Sequence, residues 1–338
     1  MIDLLSDTVT RPTPEMLNAM FSARVGDDVF SEDPTVNELQ EKAADLFGME
    51  AALFCPSGTM TNQIAVNVHT RPGDEIIAHQ YSHIYNYEGG GAAFNSGCQM
   101  RLLEGDRGLL KADSVENAIN NRFDIHAART SLVAMENTCN KGGGSCYEWD
   151  TLVEIGEVAR LNDLAYHLDG ARLFNALVAK NQPAKDYGEL FDSISICLSK
   201  GLGCPVGSLL LGTEPFIKEA LRVRKKFGGG MRQAGYLAAA GIYALDHHVE
   251  RLAEDHEKAR LLEAALKNCS WVKSVEPVET NIVIFYLHDN RDPKIFTRDL
   301  AEKGIRIISM GQGKLRMVTH LDVSKENIQK AASLLEEF

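Results

Sequence analysis

Lys200 has the most unusual setting of the reactive side chains in this sequence, because it stands just beyond an apolar run, residues 194–198. A lysine at the end of a buried strand is costly as a purely structural residue, since burial disfavours the ammonium form. The same burial lowers the pKa of the amine and favours a nucleophile that condenses with a carbonyl group to a Schiff base. Lys200 is therefore the first candidate for covalent chemistry.

Asp169 and His83 also follow segments that read as strands. In an open parallel sheet, ligands bind beyond the carboxyl ends of the strands, so these positions are expected to reach a ligand. Asp169 would stay ionised opposite a cation, although a helix N-cap has the same appearance in sequence. His83 would stack on an aromatic ring or transfer a proton near neutral pH, whereas a structural role is the commoner alternative for any of the ten histidines.

A turn of small residues, Ser57-Gly58-Thr59, lies between an apolar run and a helix-like segment. Free backbone N–H groups at the N-terminus of such a helix, together with the two hydroxyl groups, form a cradle for a phosphate. An ordinary strand-to-helix cap has the same sequence, and the turn lacks the Gly-Lys pair of a nucleotide-binding loop. Both interpretations stay open on the residues alone.

The acidic composition limits the partners of the protein. A net charge of −12 at pH 7 argues against a nucleic-acid partner, because phosphate backbones are bound by clustered lysine and arginine. One basic stretch departs from this background and suits a phosphate or carboxylate, with the solvated end of a helix as the alternative. It consists of Arg222, Arg224, Lys225 and Lys226.

Cysteine usage and the lack of long apolar runs predict a cytoplasmic protein. The seven cysteines have neither paired nor zinc-like spacing, so we expect reduced thiols and no metal site. No basic leader precedes an apolar segment, and no apolar run is long enough to cross a membrane. We therefore expect no membrane partner.

Alternating β-rich and helix-like segments predict the fold. Between residues 50 and 212 the alternation is typical of a mostly parallel sheet covered by helices. Near-continuous apolar runs fit parallel strands that are buried on both faces. The strand candidates are residues 51–55, 75–78, 131–136, 165–169, 192–198 and 208–211.

Helix signals occupy the remaining segments. Asp33 as N-cap, Pro34 at the first helical position and Gly48 as terminator predict a helix between them. An alanine-rich helical region, 232–267, separates the sheet from the C-terminal section.

The C-terminal section predicts a second, smaller domain. Its length and mixed pattern favour a large N-terminal domain, 1–245, and a small α+β domain, 246–338. Strands are expected at 281–287, 304–309 and 314–319, and helices at 294–303 and 325–338.

The order of these motifs resembles that of known enzymes. A Ser-Gly-Thr turn, a histidine, Asp-x-Ala-Arg and then Ser-Lys, in this order, resemble the aspartate-aminotransferase-type fold of pyridoxal-phosphate enzymes. More narrowly, motifs spread from end to end resemble the L-threonine aldolases. These motifs are LSDTVTRP (5–12), VGDDVF (25–30), EDPT (32–35), DGARL (169–173), SKGL (199–202), GGGMRQ (228–233) and RMVTH (316–320).

The resemblance implies a cofactor and its binding residues. The large domain would bind pyridoxal 5′-phosphate on a mostly parallel, seven-stranded sheet flanked by helices. Lys200 would carry the cofactor as an internal aldimine, Asp169 would pair with the pyridine nitrogen, and His83 would stack on the ring. The phosphate cradle would consist of Ser57, Gly58 and Thr59.

The resemblance also implies a substrate site. Ser6, Arg172 and Arg316 would hold the carboxylate of an amino acid, a task that suits the guanidinium fork. Arg172 would contact the cofactor as well. Lys225 and Arg232 would reach a phosphate in a neighbouring subunit's site, which implies a homo-oligomer, commonly a dimer of dimers.

The implied reaction is aldol cleavage of L-threonine, L-allo-threonine and related β-hydroxy-α-amino acids to glycine and an aldehyde, here acetaldehyde. A base removes the β-hydroxyl proton while the cofactor ring accepts the electrons of the broken Cα–Cβ bond. His83 is the first candidate for this base and His126 the second. The alternatives on the same fold are β-elimination or transamination of a small amino acid, and a protein that keeps the fold without catalysis.

Two residues depart from the aldolase pattern. Ser31 stands where the family has glycine before Glu-Asp-Pro, and Cys139 stands where it often has histidine after Glu-Asn-Thr. These changes bear on substrate preference rather than on cofactor binding.

Overall fold

The computed structural model describes residues 1–288, 291–311 and 313–338. The strands within these ranges are β1 (Ile2–Asp3), β2 (Ala51–Cys55), β3 (Glu75–His79), β4 (Gln99–Leu103), β5 (Thr130–Glu136), β6 (Ala165–Gly170), β7 (Ser193–Cys197), β8 (Ser208–Gly212), β9 (Val272–Val275), β10 (Ile282–Leu287), β11 (Ile305–Arg306), β12 (Ile308–Gly311) and β13 (Lys314–Val318).

The α-helices are α1 (Pro14–Phe21), α2 (Pro34–Phe47), α3 (Gly58–His69), α4 (His83–Asn86), α5 (Gly91–Ser96), α6 (Ala112–Glu116), α7 (Trp149–Leu161), α8 (Leu173–Lys180), α9 (Ala184–Leu190), α10 (Glu214–Lys226), α11 (Gly235–His247), α12 (Leu252–Asn268), α13 (Pro293–Glu302) and α14 (Lys325–Glu336). Short 3-10 turns lie at Asp7–Val9, Asp28–Phe30 and Asp106–Gly108. None of the helices in the described residues is long and apolar enough to span a membrane.

The large sheet has seven strands in the order β2-β8-β7-β6-β5-β3-β4. Strands β4, β3, β5, β6 and β7 run parallel to one another, and only β8 is antiparallel to its neighbours β7 and β2. The predicted mostly parallel sheet is therefore confirmed. Strand β4 was not predicted, because at this sheet edge it alternates exposed and half-buried residues and contains no apolar run.

Helices cover both faces of this sheet. In β2, Ala52 and Phe54 pack into a core shared with α1, α2, α7, α8 and α11, whereas Leu53 and Cys55 pack with α3 and α10 on the other face. Successive strand residues point to opposite faces, so a strand with helices on both sides must be apolar throughout. This explains the continuous apolar runs in the sequence.

Helix α2 begins and ends as predicted. Both the Thr35 and Val36 N–H groups donate to Asp33 Oδ1 at 3.1 Å, Pro34 is the first helical residue, and Gly48 ends the helix with a left-handed φ of 63°. Just before this helix Ser31 adopts a φ of 58°. Glycine reaches this conformation without steric cost, which accounts for the glycine that the aldolase pattern has there.

The C-terminal residues form an antiparallel sheet in the order β12-β13-β10-β9, which packs with α12, α13 and α14. The single strand predicted at 304–309 is wrong in detail, because the chain is divided between two sheets there. Ile305 and Arg306 pair with β1 of the N-terminus, and β12 pairs with β13.

The helical region predicted at 232–267 is two helices, α11 and α12. No glycine or proline marks the break at residues 248–251. His248 Nδ1 hydrogen-bonds the Leu202 carbonyl oxygen at 2.7 Å, so a tertiary contact anchors the end of α11. Local sequence carries no signal for such a contact.

Candidate active site

A cavity of about 500 Å³ lies beyond the carboxyl ends of β5, β6 and β7, where the chain also brings in β12 and β13. Its volume is that of a small-molecule site, and its position follows the rule for parallel sheets. Five of the residues predicted from sequence line it: Ser6, His83, Arg172, Lys200 and Arg316.

Lys200 points its amine into this cavity beside a thiol. Its Nζ lies 3.0 Å from Cys197 Sγ, three residues earlier at the end of β7. Burial and the charge of Arg172 work to lower the pKa of Lys200, but Cys197 and Asp169 together outweigh them, and the pKa is raised. The predicted lowering of this pKa is therefore wrong, because neighbouring groups offset desolvation.

Asp169 is buried at the end of β6 and held by the side chain of Asn62. Its Oδ2 accepts a hydrogen bond from Asn62 Nδ2 at 2.8 Å, and its Oδ1 accepts from the Ala171 N–H at 3.1 Å. Helix α8 begins only at Leu173, with Arg172 as its N-cap, so the alternative of Asp169 as N-cap does not hold. The carboxylate is free for another partner.

A chain of buried hydrogen bonds leads away from Asp169. Asn62 Oδ1 lies 3.2 Å from His167 Nε2, and Ser193 Oγ lies 2.8 Å from both His167 Nδ1 and His69 Nε2. An amide oxygen only accepts, so the His167 proton is on Nε2, and His167 Nδ1 accepts from the serine. Burial lowers the pKa of His167 to about 3 and that of His69 to about 4, so both rings are neutral. Every donor in the chain points towards Asp169.

His83 begins α4 and its ring is fixed by Glu88. The distance between His83 Nδ1 and Glu88 Oε1 is 2.8 Å, and ring nitrogen and carboxylate oxygens of His83, Glu88 and Asp169 lie within 4.8 Å of one another. Burial works to lower the pKa of His83, but the hydrogen bond to Glu88 and the charges of Asp169, Glu88 and Glu136 together outweigh it and raise the pKa. The ring of His83 therefore has a defined orientation, and it binds a proton more readily than a free histidine does.

The Ser57-Gly58-Thr59 turn forms the N-terminus of α3 and lies against Cys197. Ser57 Oγ accepts from the Met60 N–H at 3.2 Å, so Ser57 is the N-cap of α3, as the cap interpretation predicted. A Cβ atom on Gly58 would lie 2.5 Å from Cys197 Sγ, the atom that contacts Lys200. The turn is therefore close-packed against the lysine position, and no side chain fits there.

Arg172 and Arg316 lie together in the cavity wall with different partners. The Arg172 Nε and Nη2 atoms donate to Asp7 at 2.7 and 2.6 Å, and this pair is buried. Arg316 has no carboxylate within ion-pair distance in the described residues. Its Nη1 donates to Asn140 Oδ1 at 2.7 Å, and its Nε is buried without a partner. Burial and the charge of Arg172 lower the pKa of Arg316 to about 10, a sign of excess positive charge that favours an anion.

A model of the beta-eliminating lyases matches residues 3–290 of the sequence. The chain belongs to the beta-eliminating lyase family. The match covers the large sheet, the cavity residues of the N-terminal segment and the first part of the C-terminal sheet.

Relatives within this family confirm the resemblance to the L-threonine aldolases. A low specificity L-threonine aldolase of Escherichia coli K12 is 45% identical over 336 residues, which are 98% of each chain. A probable low-specificity L-threonine aldolase of Arabidopsis thaliana is 40% identical and covers 99% of this chain and 96% of its own length. The structure of Leishmania major threonine aldolase, at 21% identity, superimposes with a TM-score of 0.87 over 100% of this chain and 99% of that one. The last comparison confirms the fold.

Seven candidates from sequence are absent from the cavity lining: Asp169, Ser57, Gly58, Thr59, His126, Lys225 and Arg232. Asp169 and Gly58 lie close to residues of the site, His83 and Cys197 respectively, whereas the last three lie elsewhere. The side chain of His126 is 87% exposed and pairs with Asp124 in a surface loop, so within one chain nothing supports it as the base. Lys225 and Arg232 are also exposed and outside the cavity lining, and Arg232 Nη1 donates to Asp27 at 2.8 Å. The basic stretch is likewise divided, since Arg224 is buried and the others are exposed.

Several cavity residues were missed from sequence. Glu136, Thr138 and Asn140 follow β5, and Tyr87 and Thr8 complete the wall near His83 and Ser6. Glu136, Thr138 and Asn140 lie at or just after the carboxyl end of the apolar run 131–136. The rule that selected Asp169 could therefore have selected them as well.

Cys139, one of the two departures from the aldolase pattern, does not line the cavity. A Cβ atom on Gly108 would meet its sulfur, so the thiol is packed against that glycine. Its neighbours Thr138 and Asn140 face the cavity instead. Their side chains, rather than Cys139 itself, are placed to contact a substrate.

The site fits the cofactor that the family resemblance implies. The Lys200 amine and His83 line one cavity, and the buried Asp169 carboxylate lies within 4.8 Å of a His83 ring nitrogen. The Gly58 turn packs against Cys197, the partner of Lys200. Two buried polar atoms of the wall, Thr138 Oγ1 and Arg316 Nε, have no hydrogen-bond partner within the described residues. Such atoms are expected where a polar ligand completes the site.

Proposed function

We propose that this chain is a pyridoxal 5′-phosphate-dependent lyase that cleaves L-threonine, L-allo-threonine and related β-hydroxy-α-amino acids to glycine and an aldehyde. One observation carries the proposal: the Lys200 amine shares a cavity with Arg316, a guanidinium that forms no ion pair with any residue that the structure describes. An amino acid held by its carboxylate at Arg316 would lie with its α-carbon near the lysine.

The residues have distinct proposed roles towards the cofactor. When bound through Lys200, the cofactor supplies a ring that accepts electrons from the α-carbon. Asp169 holds a proton on the ring nitrogen, because an ionised carboxylate stabilises a facing cation. His83 stacks on the ring. The phosphate is held by Ser57, Gly58 and Thr59.

The substrate carboxylate is bound by Arg316 and Ser6, with Arg172 beside them in the cavity wall. His83 accepts the β-hydroxyl proton. Because Glu88 raises the pKa of His83, the neutral, proton-accepting form increases as the pH rises. Activity is therefore expected to fall towards acidic pH.

Product analysis tests the proposed reaction. The purified protein, loaded with cofactor, is given L-threonine and L-allo-threonine, and acetaldehyde and glycine are expected in equal amounts. Keto acid and ammonia would instead show β-elimination. Lys200→Ala is expected to remove both activity and the visible absorbance of covalently attached cofactor, and a variant that retains this absorbance contradicts the role of Lys200.

The proposal extends to the assembly and its location. We propose a cytoplasmic homo-oligomer, a dimer of dimers, in which Lys225 and Arg232 complete the site of a neighbouring subunit. The seven free, buried cysteines support a reducing compartment. Large exposed apolar residues support subunit contacts. They include Phe21, Phe94, Phe123 and Ile125.

Subunit complementation tests the shared site. Lys200→Ala subunits are mixed with Arg232→Ala subunits, unfolded and reassembled. If each site takes Arg232 from its partner, random dimers regain about a quarter of the wild-type activity, since half of them contain one intact site of two. Reassembled mixtures that are no more active than the two variants alone contradict a shared site.

A further inference from the structure

Glu136 is a buried carboxylate in the cavity wall, and it has none of the proposed roles in binding the cofactor or the substrate. It is the last residue of β5 and is 7% exposed. Its Oε2 accepts the backbone N–H of His83 at 2.7 Å, and its Oε1 accepts the backbone N–H of Asn140 at 2.9 Å. One side chain thus connects two segments that are far apart in sequence.

Each of these segments carries a proposed functional group. The first begins with His83, so the hydrogen bond from Glu136 fixes the backbone from which this ring projects. The second contains Asn140, whose Oδ1 accepts from Arg316 Nη1 at 2.7 Å. Glu136 therefore contacts the proposed ring-stacking histidine directly, and a single residue, Asn140, connects it to the guanidinium that would hold the substrate carboxylate.

We propose that Glu136 is a positioning residue that holds His83 and, through Asn140, Arg316 in register with each other. This inference rests on the proposed function of these two residues. A single carboxylate would thereby couple the geometry of the cofactor side of the cavity to that of the carboxylate side.

The occupancy of both oxygens assigns Glu136 this role rather than that of a base. A carboxylate that abstracts a substrate proton needs a free oxygen directed at the substrate. Here each oxygen faces a backbone N–H group. An ionised carboxylate accepts both bonds, whereas a protonated one turns one oxygen into a donor and opposes one of the N–H groups.

The protonation state of Glu136 should therefore regulate substrate affinity. Burial, followed by the charge of Asp169, raises the pKa of Glu136 to about 7, and the two N–H groups and His83 oppose this rise. The connection is complete above this pH and weakens as the pH falls through about 7. The ionisable groups that face Glu136 are Asp169, His83, Tyr87, Cys139, Tyr147 and Arg172.

Glu136→Gln in the cofactor-loaded enzyme tests the proposal. The amide keeps the shape but accepts at only one atom, so at pH 8 the KM for L-threonine is expected to rise about tenfold or more and cofactor release to accelerate. The wild-type KM should rise between pH 8 and pH 6, whereas that of the variant should stay high and constant. A KM that is unchanged, or that keeps the wild-type pH dependence, overturns the proposal.

Asn140→Ala breaks the connection from Glu136 to Arg316 but keeps the one from Glu136 to His83. It also tests the proposal if Glu136→Gln does not fold. It should raise the KM and abolish its pH dependence while leaving cofactor release unchanged, and retention of that pH dependence contradicts the connection. The matched control is Glu75→Gln, a buried glutamate at the opposite end of the same sheet that accepts from Gln99 and Asn120. Glu75→Gln is expected to lower the stability of the protein and to leave the KM unchanged. A rise in KM as large as that of Glu136→Gln overturns the proposal.

Calorimetric binding of glycine to the same cofactor-loaded variants gives a readout that does not require turnover. If wild type binds glycine with the expected pH dependence but does not cleave threonine, the proposed reaction fails and the role of Glu136 stands. If threonine is cleaved but Glu136→Gln binds glycine as wild type does, the role of Glu136 fails alone.

Discussion

At the scale of single residues, the two arginines of the cavity differ in how their charge is compensated. Arg172 shares a buried bidentate ion pair with Asp7, whereas the hydrogen-bond acceptors of Arg316 within the described ranges are neutral oxygens, Asn140 Oδ1 and the Leu5 carbonyl. A buried guanidinium without an anion is unfavourable unless a ligand supplies one. The difference assigns the substrate carboxylate to Arg316 before Arg172.

Arg316→Lys tests this assignment. The lysine keeps the charge but loses the planar fork, so the KM for L-threonine is expected to rise about 10- to 100-fold with a smaller change in kcat. Steady-state kinetics measure both constants. Arg306→Lys, at an exposed pair with Asp3, is the control and should leave the KM unchanged. A KM for Arg316→Lys equal to that of wild type would contradict the carboxylate role.

At the scale of secondary-structure elements, the N-terminal half of helix α3 contributes two features to the site. Its N-terminus is the Gly58 turn, and one turn later Asn62 donates from Nδ2 to both Asp169 and Glu88. Asn62 is the donor that these two carboxylates share, and each has a further partner, Ala171 for Asp169 and His83 for Glu88. The helix thus places one amide between two buried negative charges.

Asn62→Asp should therefore weaken cofactor binding. The substitution keeps the shape but replaces the shared donor by a third carboxylate, so we expect the Kd of pyridoxal phosphate to rise about 10- to 100-fold. Absorbance titration of the cofactor-free protein measures this constant. Asn67→Asp, on the same helix but bonded to Asn95 and Ser96, is the control. Equal cofactor affinities of Asn62→Asp and wild type would contradict a role for Asn62 in cofactor binding.

At the scale of the whole molecule, the N-terminal arm joins the two sheets. Strand β1 pairs with β11, and the Leu4 carbonyl accepts the Val318 N–H at 2.9 Å, so the arm lies on the C-terminal sheet. Asp7 then receives hydrogen bonds from Arg172, which follows β6 of the large sheet, and from Asn281, which precedes β10. The cavity lies between these attachments, and the arm therefore fixes one wall against the other.

Asp7→Asn should destabilise the whole protein. It leaves the buried Arg172 charge uncompensated, which costs about 3–5 kcal/mol of unfolding free energy, whereas the control Asp3→Asn, at an exposed pair, costs less than about 1. Urea denaturation compares the two. Burial alone would raise the pKa of Asp7, but Arg172 outweighs it and lowers the pKa from 3.8 to about 2. This stabilisation is complete above pH 4 and is lost as the pH falls through about 2. Equal stabilities of both variants contradict this account.

The sequence by itself determined the class of fold and selected candidate residues for the chemistry, whose roles stay predictions. Apolar runs specify buried parallel strands locally, and the rule that ligands lie beyond their carboxyl ends selected Lys200, Asp169 and His83 without coordinates. Caps such as Asp33 and Gly48 act within a few residues, so helix α2 was correct to its ends. The division at residue 245 stays a prediction.

Only the tertiary structure decided which groups meet. Asp7 pairs with Arg172 across 165 positions, Glu136 binds His83 across 53, and Asn62 reaches Asp169 across 107. Contacts at such separations depend on how elements pack, which no local pattern encodes. The raised pKa of Lys200 has the same origin, because burial is readable from an apolar run but the thiol and carboxylate that offset it are not.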